Sequence, residues 1–408
     1  MTPSSVDVSD PLAAIAGASN RLTAEWAGRI RDGRSTVFSG AGVWPLLGLL
    51  ALGADGDCRD QLAAAYGLDP ALGGSAARTF VDLFDRAPAL QAAVGLWYKD
   101  DLPIRQPWLD ELPPATRGRL TQDPRADQHR LDAWARDHTR GLVDRMPVSL
   151  RPDTELILAS AIMVSTEWRT EFGKRVRHVQ AGPWAGRAIP ALTRRILPSE
   201  LRVVDGGPGV GQVTAVVVEG ENDIDVVLFL GGPQVAAAKV LRAGTGAFCV
   251  PRDHAWPGER ATGLLGGGTA DRPLPPGVSL TTVPADSPEP TALLSTTPFK
   301  IHAAHDLLAT PDVFGLTAAA DRATADFPGV STRPLVLESA RQNAMAEFTK
   351  TGFRAAAVTD TGLIALSAMT RPRNESVRID ITYDRPFGFA ALHRASGLVV
   401  AAGWVAEV

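Results

Sequence analysis

Cysteine is nearly absent from this chain: Cys58 and Cys249 are the only two in 408 residues. That is too few for a disulfide framework, and neither has the CxxC spacing that a structural zinc site needs, so two free thiols are expected. An excess of charge of one sign is missing too. Lys and Arg number 41 against 45 Asp and Glu, mixed along the chain for a formal net charge of −4. Such a balance offers no basic face to nucleic acid or to an acidic membrane, and neither partner is expected. No apolar run reaches the roughly 18 residues of a membrane span, and Met1–Asp10 (MTPSSVDVSD) has no basic segment followed by an apolar stretch. A cytoplasmic, monomeric protein is the expectation.

Catalytic and cofactor motifs are equally scarce. There is no GxSxG elbow, and no Ser, His and acid can be assembled from adjacency, so an enzyme reading has no positive motif. Gly206–Gly211 (GGPGVG) leads into the β-branched run Val213–Val218 rather than into a helix whose N-terminus could hold phosphate, and reads as a turn. Gly266, Gly267 and Gly268 lack a following Lys-Ser/Thr and read as a loop. His302, His305 and Asp306 lie close in sequence, but their segment begins as a strand and has no further ligand, so it reads as a solvated strand end. No cofactor and no metal are expected.

What the chain does have is apolar material: 45% of it is hydrophobic and only 21% charged, enough for a large core. Asn20–Ile30 places Leu22, Trp26 and Ile30 on one helical face, and Val43–Leu52 is apolar nearly all round, as in a buried helix. Asp57–Tyr66 and Leu131–Met146 repeat the amphipathic pattern, with Pro147 closing the second. Leu90–Tyr98 and Leu156–Val164 suit buried strands, and Val213–Val218, Ile224–Leu230, Leu363–Met369 and Val377–Tyr383 read as extended. Gly388–Val405 reads as a closing hairpin turned near Ser396 and Gly397. No low-complexity linker divides helices from strands, which implies one interleaved α+β domain over residues 1–408 with a flexible N-terminus over 1–19.

Several segments, in order, resemble the serpin family. Val37–Gly53 followed by Ala54–Leu68 is similar to the family's opening strand, buried helix and next helix start. Leu131–Leu142 (LDAWARDHTRGL) and Leu158–Trp168 (LASAIMVSTEW) resemble its "INxWVxxxTxGxI" helix and "LVNAIYFKGxW" strand. Thr297–Asp306 (TPFKIHAAHD), Gly352–Val358 (GFRAAAV), Tyr383–Phe389 (YDRPFGF) and Gly397–Val405 (GLVVAAGWV) follow, resembling the family's later strands, its hinge and its closing hairpin. The resemblance implies a serpin fold with three β-sheets, about eight or nine helices and an exposed reactive loop, here with hinge and reactive loop together over 350–377 and the hinge itself at Gly352–Ala357.

In that family the loop is protease bait which, once cut, inserts as a new strand in the large sheet. Insertion demands a period-two pattern, because a one-residue slip turns every side chain to the other face. Counted from Gly352 as the hinge glycine, one face carries Phe353, Ala355, Ala357, Thr359 and Thr361 and is uncharged. The other carries Arg354, Ala356, Val358 and Asp360. By the resemblance the cut falls at Leu366–Ser367, implying a target protease of chymotrypsin-like or subtilisin-like preference. Counting back from Phe387 places it near Glu375 instead, with Met369 and Arg373 as further candidates, whereas Arg371 precedes the obstructing Pro372.

The family's shutter and breach positions transfer to Ser39, Gly42, Ser160, Gln342 and Trp168. Departures from the family pattern cluster there. Lys350 stands where the family usually has a glutamate, its lysine partner is Pro298, and Phe353 replaces a small residue whose space a ring would overpack. These departures motivate a second reading: a non-inhibitory serpin-fold protein that binds a small molecule or partner, or has been repurposed for catalysis, since function resides in sites grafted on folds.

Overall fold

Residues 40–53 carry almost nothing but apolar and small side chains, and the fold accordingly buries them on every side. A computed structural model describes residues 11–354 and 374–408 of the chain, apart from 122, 140, 142, 147, 149, 153, 250–258 and 261–272. Among these residues are seven α-helices, of an expected eight or nine: α1 (Pro11–Ala27), α2 (Gly40–Gly53), α3 (Gly56–Tyr66), α4 (Gly73–Arg86), α5 (Gln106–Glu111), α6 (Pro124–His138) and α7 (Ala237–Gly246). None is long and apolar enough to cross a membrane.

Local chemistry sets the helix ends. Ser39 Oγ accepts the Gly42 amide to start α2, and Gly67, at φ +74°, closes α3 in the left-handed conformation that glycine adopts without strain. Two sequence expectations are corrected here. Residues 11–19, expected in a flexible N-terminus, form the first turns of α1, with Ile15, Ala16 and Ala18 buried in the core. The helix expected over 131–146 is instead α6. It starts earlier, at Pro124 behind the cap Asp123, and stops at His138, where Thr139 Oγ1 donates to the Ala135 carbonyl at 2.7 Å. Met146 is nevertheless buried, because Asp132 accepts its amide and holds the chain back against α6.

Three sheets organise the strands, giving an α+β fold. The first runs β1 (Thr36–Phe38), β19 (Leu398–Val405), β18 (Phe387–His393), β10 (Ile224–Leu230), β9 (Gln212–Glu219), β8 (Leu201–Asp205) and β11 (Glu259–Arg260), antiparallel throughout. Its β10, β18 and β19 are buried along their whole length. The one acid inside β10, Asp225, is fully buried and held by Arg394 Nε at 2.7 Å and the Gly220 amide at 3.1 Å. The Gly206–Gly211 segment is the β8–β9 turn, with Gly207, Gly209 and Gly211 all at positive φ.

A five-stranded sheet has the order β12 (Val278–Ala285), β17 (Asn374–Thr382), β13 (Thr291–Thr296), β7 (Ala188–Ile196) and β6 (Gly173–His178). The third, central sheet runs β3 (Arg117–Leu120), β2 (Leu90–Lys99), β4 (Leu156–Val164), β15 (Leu337–Phe348), β16 (Gly352–Arg354) and β5 (Thr166–Glu167), with β14 (Phe299–Asp306) on the other edge of β15. Cys58 and Cys249 are free, and burial raises both thiols, Cys249 to about 11.

Candidate functional site: the seam of the central sheet and its hinge

The central sheet is antiparallel except at two places, and one of them is a seam down its middle. There β4 and β15 pair in parallel, from Leu156 opposite Leu337 to Ile162 opposite Ala344, with a slip between Leu337 and Ser339. Past Ala344 the two strands part. Into the gap comes β16, antiparallel to β15 on one side (Phe348 opposite Phe353) and antiparallel to β5 on the other (Thr166 opposite Phe353). Two parallel strands with an antiparallel third between them is the arrangement that a strand entering the seam would extend.

The turn that delivers β16 is built from threonines. Thr349 N donates to the Gly352 carbonyl at 2.9 Å, while Thr349 Oγ1 accepts the amides of Thr351 and Gly352 at 3.3 and 3.2 Å. Trp168 spans the same turn: its indole N–H donates to the Thr349 carbonyl at 2.9 Å and its amide to the Thr351 carbonyl at 2.9 Å. Glycine is required at 352 by close approach. A Cβ there would lie 2.3 Å from the Thr166 carbonyl oxygen. Lys350, whose position was expected to lack its family partner, has Glu171 at 3.9 Å, and its carbonyl accepts the Phe172 amide at 2.9 Å.

Phe353 was expected to overpack the entry to the sheet. Its ring is already seated there, 1% exposed, edge-on to Phe389 at 5.9 Å. Around it runs a continuous aromatic cluster: Phe389 against Phe299 at 4.8 Å, Phe299 stacked on Phe348 at 5.4 Å, and Phe348 against Trp168 at 4.8 Å. Rings meeting edge-on, tilted and stacked supply a large apolar contact in a fixed geometry. Beyond Phe172 lies a buried ion pair: the Arg194 guanidinium sits 5.0 Å above that ring and donates to Glu200 at 2.8 Å. Burial pulls the Arg194 pKa down and pushes the Glu200 carboxyl up.

Under the seam the shutter residues come together. Gln342 is fully buried and makes a double bond pattern with one residue: it accepts the Ser39 amide at 2.8 Å and donates to the Ser39 carbonyl at 2.8 Å. The same Nε2 donates to Ser160 Oγ at 3.0 Å, so this bond crosses the seam between register partners. Ser39 Oγ in turn donates to the Val400 carbonyl at 2.5 Å, linking the network to β19. Gly42 leaves room for this: a Cβ would lie 3.0 Å from Gln342 Nε2.

His302 and His305, weighed as a strand-end pair, point apart, because a spacing of three on β14 puts them on opposite faces. His302 is exposed. His305 is not solvated as expected: its Nε2 donates to the Val37 carbonyl at 2.8 Å, its ring meets Trp26 edge-on at 5.1 Å, and burial lowers its pKa. Among the described residues no group of three His, Cys, Asp or Glu could hold a metal ion. Ala355, Ala356, Ala357, Leu366 and Ser367 lie outside the described residues, as does Leu363–Met369.

Of the residues that matter, sequence reasoning missed Thr349, Thr166, Arg194 and Glu200. A Thr-Lys-Thr-Gly run ending a strand is a readable turn signal. Nothing local marks Arg194 or Glu200 as a buried pair.

The family model described as Serpin (serine protease inhibitor) matches residues 18–181 and 289–408. The chain belongs to the serpin family. Two rice (Oryza sativa subsp. japonica) serpins are each 24% identical: a putative serpin-Z6C, over 95% of this chain and 94% of its own length, and serpin-Z2A, over 93% and 92%. Solved serpin structures share the fold at lower identity. Native protease nexin-1 with heparin superposes with a TM-score of 0.68 at 18% identity, covering 98% of this chain and all of the other. The native thermophilic serpin tengpin gives 0.70 at 15%, covering 100% and 96%. Thyroxine-binding globulin in complex with thyroxine gives 0.65 at 18%, covering 98% and 99%.

Proposed function

We propose that this serpin inhibits serine or cysteine proteases by acting as a suicide substrate, with Leu366–Ser367 as the bait bond and the segment after Gly352 as the inserting strand. The observation that carries the reading is β16, already antiparallel to both neighbours at the mouth of a parallel seam. With a serine protease, the target's hydroxyl adds to the Leu366 carbonyl, the Leu366–Ser367 C–N bond breaks, and the proton leaves on the new Ser367 amine. The chain up to Leu366 stays as an ester on the enzyme. Zipping of that segment into the seam then draws the acylated protease away before water can release it.

The test is incubation with a chymotrypsin-like protease. A complex that survives SDS and carries the mass of the protease plus the chain cut after Leu366 supports the reading, and complete turnover to cut product with no such complex would sink it. The second reading, ligand binding without inhibition, is favoured by a cleft of about 730 Å³ lined by Leu22, Ala65, Val313, Arg21 and Arg242. Under it the protein is cut as an ordinary substrate.

A further inference from the structure

The loop has two ends, and the structure secures them differently. Its amino-terminal end is the short β16. Its carboxyl-terminal end is β17, which is paired on both sides. On one side β13 lies parallel to it, from Thr291 opposite Arg378 to Ser295 opposite Thr382. On the other side β12 lies antiparallel along all eight of its own residues, from Val278 opposite Ile381 to Ala285 opposite Asn374. β12 falls between the two stretches that the family model matches.

Several further bonds bind β12 and the turn after it to β17. The Thr382 amide donates to the Gly277 carbonyl at 2.8 Å, and Thr281 Oγ1 donates to Asp380 at 3.2 Å. In the connection from β12 to β13, the carbonyls of Asp286 and Glu289 accept from Asn374 Nδ2 at 3.0 Å and Ser376 Oγ at 2.5 Å, at the first residues after the loop. Most of β12 is exposed, so the ladder and not apolar burial holds it in place.

We propose that β12 is a clasp on the carboxyl-terminal anchor of the loop, which makes cleavage a precondition for insertion. The inference rests on the trap reading above. An uncut loop can fill the seam only by dragging its far end along, and that end moves only if β17 peels out of its sheet. With β12 absent, β17 would be an edge strand with a single ladder to lose. With β12 present it is interior, and both ladders must break together. Cutting the loop removes the requirement, because β17 then stays where it is.

The ladder phase names the residues to change. The bond from Thr382 to Gly277, the residue before β12, makes Ser279, Thr281, Val283 and Ala285 the hydrogen-bonded positions of β12, and Pro284 accordingly occupies a position whose amide would face away from β17. Thr281→Pro therefore deletes a ladder bond, whereas Thr282→Pro does not. Thr282 and Val377 are a non-bonded pair, the closer kind, suited to a cross-strand disulfide in the double variant Thr282→Cys, Val377→Cys.

The experiment uses the full chain in all forms. Each protein is first cut once in the loop with the metalloprotease thermolysin, which forms no acyl-enzyme and so cannot be trapped, and a rise in thermal midpoint shows that the seam accepts the loop. Uncut samples are then held just below their own midpoint. Conversion to an intact, loop-protected, more stable monomer is followed by mass, midpoint and resistance to chymotrypsin. Thr281→Pro is expected to convert on the order of tenfold faster than the unmodified chain, about 1.4 kcal/mol, and Thr282→Pro at the unmodified rate. The oxidised cysteine pair should convert more slowly than its reduced form. Equal rates across these proteins, despite a stability gain on cutting, overturn the clasp and leave the trap standing. No gain on cutting any of them overturns both. If Thr281→Pro does not fold, the oxidised and reduced pair decides the matter, and equal rates there overturn the clasp.

Discussion

The antiparallel seven-stranded sheet and the seam of the central sheet are both buried, yet they are closed by different means. The first interlocks side chains where β10 pairs without a slip to both β9 and β18: Phe229 sits in β10 so tightly that a Cβ on Gly244 would lie 2.7 Å from its ring. Along the seam, β4 and β15 oppose Ala159, Ser160 and Ala161 with Arg341, Gln342 and Asn343, pair in parallel, and share the side-chain bond from Gln342 to Ser160. Apolar interdigitation cannot be undone without opening voids. Small side chains and a few hydrogen bonds can be exchanged for equivalents. Under the proposed insertion, one sheet stays shut and the other admits a strand.

The largest test of that contrast removes an aromatic from each region. Phe229→Ala should lower stability by ~3–5 kcal/mol, equally in the uncut and loop-cut proteins, because it empties a well-packed site against Gly244 and Phe248, neither of which is in the central sheet. Phe353→Thr should lower it by ~2–4 kcal/mol in the uncut protein, since a ring that is already seated leaves a void when truncated. It should also render the 349–354 turn more susceptible to limited proteolysis. An unchanged denaturation midpoint for Phe353→Thr would mean the ring contributes nothing to the closed hinge.

Somewhat smaller is the effect of Gln342→Leu, which leaves the Ser39 amide, the Ser39 carbonyl and the Ser160 hydroxyl without their partner at a cost of ~2–3 kcal/mol in the uncut chain. Once a strand separates β4 from β15, the bond to Ser160 is already gone, so the penalty in the cut protein should be less. Equal penalties in both forms, read from urea midpoints, would indicate that the seam never opens.

The smallest effect is a pH dependence. Burial holds the His305 and His393 pKa values below the ordinary histidine value of about 6.5, so the unfolded chain takes up protons before the folded one does. Stability present above about pH 6.5 should therefore decline as pH falls through the folded values. His305→Gln should flatten part of that decline between pH 7 and 5, with His393 supplying the remainder. A variant whose midpoint follows the unmodified profile would place the titration elsewhere.

The contrast between the sheets also explains what could be read from the sequence. Runs such as Val213–Val218, Ile224–Leu230 and Gly388–Val405 declared themselves, because burial on both faces writes a continuous apolar stretch. The shutter set was placed by the family resemblance alone, through the position of each residue in its matching segment, and Gln342, Ser39 and Ser160 do meet. The extent of α6 was misjudged because Leu142 and Met146 keep the helical spacing although the chain leaves the helix at Thr139. His305 was taken for a solvated residue because its partner Val37 lies 268 positions away, beyond any local pattern. The same holds for β12, whose mostly polar, exposed strand acquires its meaning only from the neighbour it covers.

The seated ring of Phe353 also has a consequence for loop length. It fixes the parity of everything that follows, as a start codon fixes a reading frame. Under the proposed insertion, residues 355, 357, 359 and 361 follow Phe353 to the inner face, and they are Ala, Ala, Thr and Thr. An even change in length just after Phe353 preserves that frame. An odd insertion there turns Arg354 and Asp360 inward, so under that reading drift in length at the start of the inserting segment is tolerated only in steps of two.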